Sequence, residues 1–385
     1  MHTRFFAGAA ALVFVSLFSS GALAQLAVSA NDGKAVLVDG VTSVAAEPVP
    51  DYVTVVDLGV FPPKVVGEVE APGSVVGPPQ SVAIAPDESY ALVVASTKVD
   101  PADPKKTVPD NRLTVIDLKA RPIAVLQTLE AGAGAAGVSI NRAGTLALVA
   151  NSAEGTVSIF TIANRQLTAA GKISLGDAKS APFHVAFSPD GKTALVTRGG
   201  DHKVSVLKID GNNVEYTKRD MVGGVRPYGI VISSKGDIAV FGNGGGGQGD
   251  TDIISVVDMK VQPPRVIEDI SVGQTPEGLA MSPKGDFIAV TAMNGSNKAK
   301  SSPFYNDNGL LKVFAVQGTR LSLVAEAPVG HWCQGAAWSR DEKTILVQCM
   351  VEKELQIFRF TGDSLRRTGE IKLKAGPAGI RTADH

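Results

Sequence analysis

Short apolar runs and polar turns alternate along most of the chain. The stretch SAPFHVAFSPDGKTALVTRGG, from Ser180 to Gly200, places two apolar runs on either side of a Pro-Asp-Gly turn signal and therefore predicts an antiparallel hairpin. The same pattern recurs in five other stretches, which begin at Ser81, Gly137, Gly229, Gly278 and Gly335. A third β-rich run occurs seven times, beginning at Thr54, Thr114, Ser158, Ser205, Ser255, Lys312 and Gln356.

A fourth run, such as RVIEDISVG, ends each unit before the next hairpin begins. Four short strands that recur roughly every 50 residues without helical periodicity are typical of a propeller blade. Seven third strands therefore predict an all-β, seven-bladed β-propeller with four-stranded blades. Because the runs are too apolar for sheets with one face in water, neighbouring blades should pack face to face.

The two ends of the chain carry incomplete units. The segment LAVSANDGKAVLV near the N-terminus predicts a hairpin ahead of the run at Thr54, whereas AGPAGIRTA near the C-terminus repeats only the start of the pattern. One blade should therefore combine both chain ends, which closes the ring and removes its free sheet edges. The sequence leaves open which end supplies the innermost strand.

The first 24 residues have the pattern of a cleaved signal peptide. Arg4 precedes an apolar stretch, Ala7 to Phe18, that is too short to span a bilayer, and Ala22-Leu23-Ala24 is a small-residue cleavage site. This predicts a signal peptide over residues 1–24 and a single propeller domain over 25–385. Without a later apolar segment of membrane-spanning length or a lipobox cysteine, we expect a periplasmic monomer with no membrane anchor.

Charge and cysteine content narrow the classes of function. The chain has 37 basic and 38 acidic residues, so it lacks the basic balance expected of a non-specific nucleic-acid binder. Its two cysteines, Cys333 and Cys349, lie at the start and the end of one predicted hairpin. In an oxidising compartment they could form a disulfide if the strand register aligns them, or remain two buried apolar residues. No cofactor and no metal site are expected.

Several repeat units resemble a known family. The segments PFHVAFSPDGKTALV, ALVAN and LTVIDL, linked by SVGQTPEG, are similar to the YVTN-type repeat and to the lactonase-like seven-bladed β-propeller superfamily. The resemblance covers the whole mature chain and implies the propeller fold. It also implies that His184 matches the family histidine, although Arg198 stands where that family usually has an acidic residue.

Alignment of the repeats with one another isolates candidate site residues. Where His184 stands, the other hairpins and the C-terminal fragment carry only serine or glycine. The preceding position varies among polar, acidic, aromatic and small residues, as a binding surface on a repeated scaffold would. We therefore predict His184 and Glu277 as candidate proton-handling groups. The candidate ligand-binding residues are Gln80, Arg198, Arg226, Tyr228, Trp332, Gln334 and Arg381.

The resulting hypothesis has three forms. The first is non-catalytic binding of a small anionic or polyhydroxy ligand at the loop-rich end of the central channel, where arginines would bind carboxylate or phosphate. The second is a lactonase-like hydrolase that opens a sugar or muconate-type lactone, with His184 or Glu277 activating water. The third is a protein-interaction scaffold that uses the rim loops and Trp332.

Overall fold

The computed structural model describes Met1 and residues 25–384, and it is a seven-bladed β-propeller. In six of the blades the four strands follow one another in chain order from the innermost to the outermost strand. In the second blade an inserted hairpin separates the second strand from the third. The second blade contains β6 (Val82–Ile84), β7 (Tyr90–Val94), β10 (Arg112–Asp117) and β11 (Ala124–Glu130). The third contains β12 (Ala135–Ile140), β13 (Leu146–Asn151), β14 (Thr156–Ala163) and β15 (Gln166–Ser174). The fourth contains β16 (Pro182–Phe187), β17 (Thr193–Arg198), β18 (Lys203–Asp210) and β19 (Asn213–Met221).

The remaining three of these six blades have the same order. The fifth contains β20 (Pro227–Ile232), β21 (Ile238–Asn243), β22 (Asp252–Asp258) and β23 (Arg265–Gly273). The sixth contains β24 (Pro276–Met281), β25 (Phe287–Ala292), β26 (Gly309–Gln317) and β27 (Arg320–Val329). The seventh contains β28 (Cys333–Trp338), β29 (Thr344–Cys349), β30 (Glu354–Phe360) and β31 (Leu365–Lys372). A three-residue 3₁₀ helix, Ala178–Ser180, precedes β16.

The first blade joins the two chain ends. Its strands from the channel outward are β32 (Gly376–Thr382), β1 (Leu26–Asp32), β4 (Tyr52–Asp57) and β5 (Lys64–Glu70). The C-terminal strand is thus the innermost one, and it pairs antiparallel with β1. It also contacts β28 on one side and β6 on the other. The predicted closure by both termini is confirmed, and the open question about the innermost strand is answered.

The predicted N-terminal hairpin supplies one strand of the blade and not two, so the prediction is wrong for its second strand. Only β1 belongs to the blade, because the chain leaves it at Asp32, whose carboxylate accepts the backbone N–H groups of Lys34, Ala35 and Val75. The following residues form a separate two-stranded sheet, β2 (Ala35–Val38) and β3 (Val41–Val44). A second inserted hairpin, β8 (Thr97–Asp100) and β9 (Asp103–Pro109), occupies the corresponding connection of the second blade.

Each of the second to seventh blades begins with a hairpin closed by a polar turn. In the opening stretch, Ser188 Oγ donates to Asp190 and accepts the N–H of Thr193, while Gly191 adopts a positive φ of 68°. Apolar side chains from neighbouring blades then meet, as Leu92 and Val149 do in the cluster between the second and third blades. The predicted face-to-face packing is confirmed, and burial of both sheet faces supplies the main driving force for the ring.

The two ends of the channel differ. The long connections lie at one end of the ring, which we term the loop end: both inserted hairpins and the segments 244–251 and 293–308 join second and third strands, and the segment 71–81 leads into the second blade. The turns between first and second strands lie at the opposite, or turn, end. Among the described residues there is no helix with the length and apolar character of a membrane span. The predicted signal peptide, residues 1–24, falls outside the described residues except for Met1.

The two cysteines face each other across one strand pair. Cys333 is the first residue of β28 and Cys349 the last of β29, and the register pairs them directly with a Cα separation of 4.0 Å. The structure joins them by a disulfide. Both residues are fully buried, so the bond lies within the core of the seventh blade.

Candidate functional site

Side chains close the loop end of the channel. The residue that varies among the repeats supplies them: Gln80 Nε2 donates across the channel to the carbonyl of Leu279 at 3.3 Å, and Gln334 Nε2 donates to the carbonyl of Ala378 at 3.0 Å. Both glutamines are buried. Their amides therefore bind the protein's own backbone instead of forming an open ligand surface there.

Tyr228 contributes to the same closure. Its hydroxyl accepts the backbone N–H of Gly77, which belongs to the connection that leads into the second blade, and its ring packs edge-on against Phe183 with centroids 4.6 Å apart. Burial, reinforced by the nearby charge of Glu277, raises the pKa of the phenol. Tyr228 is thus a packed, neutral side chain that extends across the channel.

The β2–β3 hairpin covers part of the loop end. Ala35 and Leu37 pack on an apolar cluster that includes Trp332, which is itself buried. At the hairpin tip, a Cβ on Gly40 would lie 2.4 Å from the backbone nitrogen of Ala299, so the tip meets the long loop of the sixth blade. Trp332 is therefore covered, and its predicted role as an exposed contact at the rim is wrong.

Arg198 does not face the channel. Its guanidinium forms an ion pair with Asp201, lies 3.6 Å from the carboxylate of Asp220, and donates to Ser205 Oγ and Tyr216 Oη at 3.2 Å each. These partners lie on the outer strands of the fourth blade or in the loop that leads to them. Since the cation is already neutralised by two carboxylates, the prediction that Arg198 binds a ligand in the channel is wrong.

The residues at the position equivalent to His184 in the other blades are small for a steric reason. A Cβ on Gly137 would lie 2.5 Å from the carbonyl oxygen of Phe183, and one on Gly278 would lie 2.2 Å from that of Gln334. This position therefore points at the innermost strand of the next blade, where little room remains. His184 fills the one wider gap, between β16 and β20.

His184 is completely buried in that gap. Its Nδ1 faces the backbone N–H of Ile230 at 3.3 Å, and its Nε2 faces the guanidinium of Arg381 at 3.4 Å. Burial and the positive charge of Arg381 hold the pKa of the imidazole well below its usual value, so the ring is neutral. Because the Ile230 N–H donates to Nδ1, the neutral ring carries its hydrogen on Nε2, which faces the Arg381 guanidinium without a hydrogen bond. With Nδ1 occupied and no exposed surface, His184 is not placed to take a proton from water.

Arg381 links His184 to an open funnel at the turn end of the channel. The funnel has apolar walls, formed in part by Ala186, Val231 and Ala337, and Arg381, Arg142 and Asp384 provide its charges. Arg381 forms an ion pair with Asp384 and is mostly covered. Arg142, in the β12–β13 turn, is exposed and has no ion-pair partner among residues 25–384.

The sequence analysis missed Arg142 and Asp384. In the aligned turns, Pro86, Pro189, Ser234 and Pro283 occupy the place of Arg142, but Arg340 occupies it in the seventh blade, so the repeat comparison gave no signal specific to Arg142. Asp384 falls at the same aligned turn position, five residues after Gly379, but the alignment of strand starts did not extend to the turns. Of the predicted site residues, only Arg381 lines the funnel, and the opening lies at the end opposite to the one predicted.

Glu277 lies at the loop end within the electrostatic influence of Arg226. Glu277, the second residue of β24, is 4% exposed, and burial raises the pKa of its carboxyl to about 7, although the charge of Arg226 partly opposes this shift. The Arg226 guanidinium lies 5.2 Å from the centre of the Tyr228 ring. Neither Glu277 nor Arg226 lines the funnel. The two predicted proton-handling residues, His184 and Glu277, therefore do not share one open cavity.

The only group of at least three metal-type side chains found within residues 25–384 comprises Cys333, Cys349 and Glu352. Both sulfurs are already bonded to each other in the disulfide. This group therefore offers no thiolate ligand.

Comparisons with solved structures bear on the fold. A protein from Bacteroides fragilis, provisionally assigned as a 6-phosphogluconolactonase, superposes with a TM-score of 0.72 at 15% identity and covers 95% of this chain and 99% of its own. A periplasmic gluconolactonase from Pseudomonas aeruginosa gives 0.67 at 17% identity, with 93% and 99% covered. A functionally unknown protein from Desulfotomaculum acetoxidans gives 0.69 at 15% identity, with 94% and 99% covered.

These likenesses confirm the resemblance to lactonase-like propellers at the level of the fold. At such low identity they do not transfer an activity. No family model matches the chain, and no curated protein matches it.

Proposed function

We propose that this protein is a periplasmic propeller that binds a small organic anion in the turn-end funnel. The observation that carries the proposal is the placement of Arg381: its guanidinium lines the funnel, its ion pair with Asp384 fixes its position, and the neutral ring of His184 packs behind it. Exposed Arg142 supplies a second positive charge at the same opening. Guanidinium groups bind carboxylates and phosphates through paired, charge-assisted hydrogen bonds, and apolar walls suit the carbon skeleton of such a ligand.

The periplasmic location is part of this proposal. Its support is the signal-peptide pattern at the N-terminus, together with the structural likeness to a periplasmic gluconolactonase. A buried disulfide is compatible with an oxidising compartment.

Ligand binding can be tested with a panel of sugar acids. Gluconate and 6-phosphogluconate are suitable probes because they combine an anionic group with hydroxyls, and the structural neighbours include proteins named for the corresponding lactones. A bound probe should raise the melting temperature of the mature protein. Arg381→Gln should weaken binding by about tenfold or more, since a hydrogen bond to a charged group contributes roughly 1.5–3 kcal/mol.

Arg142→Gln is the second variant, because its side chain is exposed and its loss should leave the fold intact. The matched control is Arg320→Gln at the start of the outer strand β27, which should bind as the parent does. If none of the acids raises the melting temperature, or if all three variants bind equally well, the funnel is not an anion site.

A lactonase is the second candidate, and Glu277 is the observation that favours it. A buried carboxyl with a pKa of about 7 beside Arg226 has the properties of a general base with a neighbouring oxyanion stabiliser. If the protein is a lactonase, the mature chain should hydrolyse glucono-1,5-lactone faster than the heat-denatured protein does, as measured by base consumption at constant pH. Glu277→Gln should then abolish turnover, whereas Arg142→Gln should not. Equal rates for active and denatured protein would exclude this lactone as a substrate.

A further inference from the structure

The segment that begins at Gln25 is fixed at the turn end by the seventh blade. Gln25 directly precedes β1, and it is 1% exposed. Its Nε2 atom donates to the carbonyl of Trp338 at 3.0 Å, and its Oε1 atom accepts the backbone N–H of Arg340. These two partners lie at the end of β28 and in the β28–β29 turn. The glutamine side chain therefore joins the first and seventh blades across the seam between them.

The backbone beside this side chain is also held. The carbonyl of Gln25 accepts the N–H of Leu58, which follows β4, at 2.7 Å. The N–H of Leu26 donates to Glu88 Oε2 at 3.3 Å, and Glu88 Oε1 lies 3.3 Å from the guanidinium of Arg340. Glu88 is a buried residue of the β6–β7 turn. Contacts from the first, second and seventh blades thus fix Gln25 and the residue that follows it.

The predicted cleavage after Ala24 gives Gln25 a reactive position, because it makes this glutamine the N-terminal residue of the mature chain. The free α-amine of an N-terminal glutamine attacks the Cδ atom of the same residue. A C–N bond forms, the bond from Cδ to Nε2 breaks, and Nε2 leaves as ammonia with one proton taken from the amine. The product is a pyroglutamate lactam, and the reaction needs no further reactant. In an unfolded chain nothing holds the side chain away from the amine.

The hydrogen bonds of Gln25 oppose this reaction. Closure of the lactam ring brings Cδ back to the backbone nitrogen of the same residue, which pulls Nε2 away from the Trp338 carbonyl and Oε1 away from the Arg340 N–H. Departure of Nε2 then removes the donor to Trp338 altogether. A buried polar group that loses its partner destabilises the fold. The folded arrangement and the cyclised residue therefore exclude each other.

We propose that Gln25 is an N-terminal latch: the mature chain begins with this residue, and the closed propeller protects its amide from cyclisation while the amide joins the first and seventh blades. A chain that cyclises before it folds lacks the latch. This inference rests on the proposed cleavage after Ala24. It is independent of anion binding, since Gln25 does not line the funnel.

The test measures cyclisation by mass spectrometry of the mature protein, purified from the periplasm after expression of the full-length chain. Its N-terminal tryptic peptide should be QLAVSANDGK with the glutamine intact. On incubation in one buffer, the folded protein should lose ammonia from Gln25 at least about tenfold more slowly than the free peptide QLAVSANDGK, because local opening must first break the hydrogen bonds. Protein unfolded in urea should cyclise as fast as the peptide does in the same urea.

Melting temperatures test the latch separately from the chemistry. Gln25→Ala, and protein that is cyclised while unfolded and then refolded, should both melt a few degrees below the mature protein. The matched control is a chain that retains Ala24: the nitrogen of Gln25 then stays in a peptide bond, so this chain cannot cyclise and should melt as the mature protein does.

Three results would overturn protection by the fold: a mature chain that begins at another residue, a purified protein that already carries pyroglutamate, or folded protein that cyclises as fast as the peptide. If Gln25→Ala and the cyclised protein melt at the same temperature as the mature protein, Gln25 does not act as a latch between the blades.

Discussion

Removal of the C-terminal strand β32 should abolish cooperative folding of the propeller. A chain ending at Ala375 loses the whole ladder with β1, leaves Gln334 Nε2 without the carbonyl of Ala378, and removes the buried side chain of Ile380. Loss of the isoleucine alone costs about 2–5 kcal/mol, and each backbone hydrogen bond of the lost β1–β32 ladder about 0.5–1.5 kcal/mol more. Together these losses are comparable to the whole of the roughly 5–15 kcal/mol by which a typical fold is stable.

Thermal unfolding followed by circular dichroism measures this effect. The matched control ends at Ala383, which retains all of β32 and the buried Ala383 side chain while removing exposed Asp384. The control should melt close to the parent. If the chain ending at Ala375 unfolds with the same midpoint and cooperativity as the parent, closure of the ring by β32 does not contribute to stability.

The stability of the protein should fall as the pH rises from about 4.5 to 7 because of Glu277. Burial raises the pKa of its carboxyl from 4.5 to about 7 in the folded state, so over this range the folded protein binds more protons than the unfolded chain does. The contribution of Glu277 to stability is therefore fully present below pH 4.5, and it is lost as the pH rises through the pKa of Glu277 in the folded state. A shift of this size corresponds to about 3 kcal/mol.

Denaturant unfolding at several pH values isolates this contribution. Asp51, Glu88 and Asp252 also have pKa values raised chiefly by burial, so the informative quantity is the difference between the parent and Glu277→Gln. That difference should grow in favour of the variant as the pH rises, because glutamine cannot ionise. Glu215→Gln, at an exposed site on β19, should show no such trend. A difference that does not change with pH would mean that Glu277 titrates normally.

The sequence predicted the fold because the repeat is encoded locally. Turns such as Ser188 to Gly191 and the apolar runs beside them recur in each blade, so one well-understood hairpin predicted the others. The closing blade was predicted only in part, since the position of β1 depends on a partner strand more than 340 residues away along the chain. The local pattern of apolar and polar residues could not show that the chain leaves the blade at Asp32 and forms the β2–β3 hairpin.

The site was harder to predict than the fold, because alignment of repeats shows which residues are unusual and not which direction they face. His184 was correctly singled out as exceptional, yet it fills a gap between two strands. Gln80 and Tyr228 reach across the channel and Gln334 reaches the neighbouring strand β32, so these variable side chains bind the protein's own backbone and do not form an open ligand surface. Arg198 is neutralised by acids on its own blade, which the repeat alignment did not consider.

A crystal structure of the mature protein with the tightest-binding acid of the panel tests the central claim most directly. The acid should lie in the turn-end funnel, with its anionic group within hydrogen-bond distance of the Arg381 guanidinium and close to Arg142, and with His184 unmoved behind Arg381. An acid bound instead beside Glu277 and Arg226 at the loop end, or a funnel that stays unoccupied at saturating acid, would contradict it.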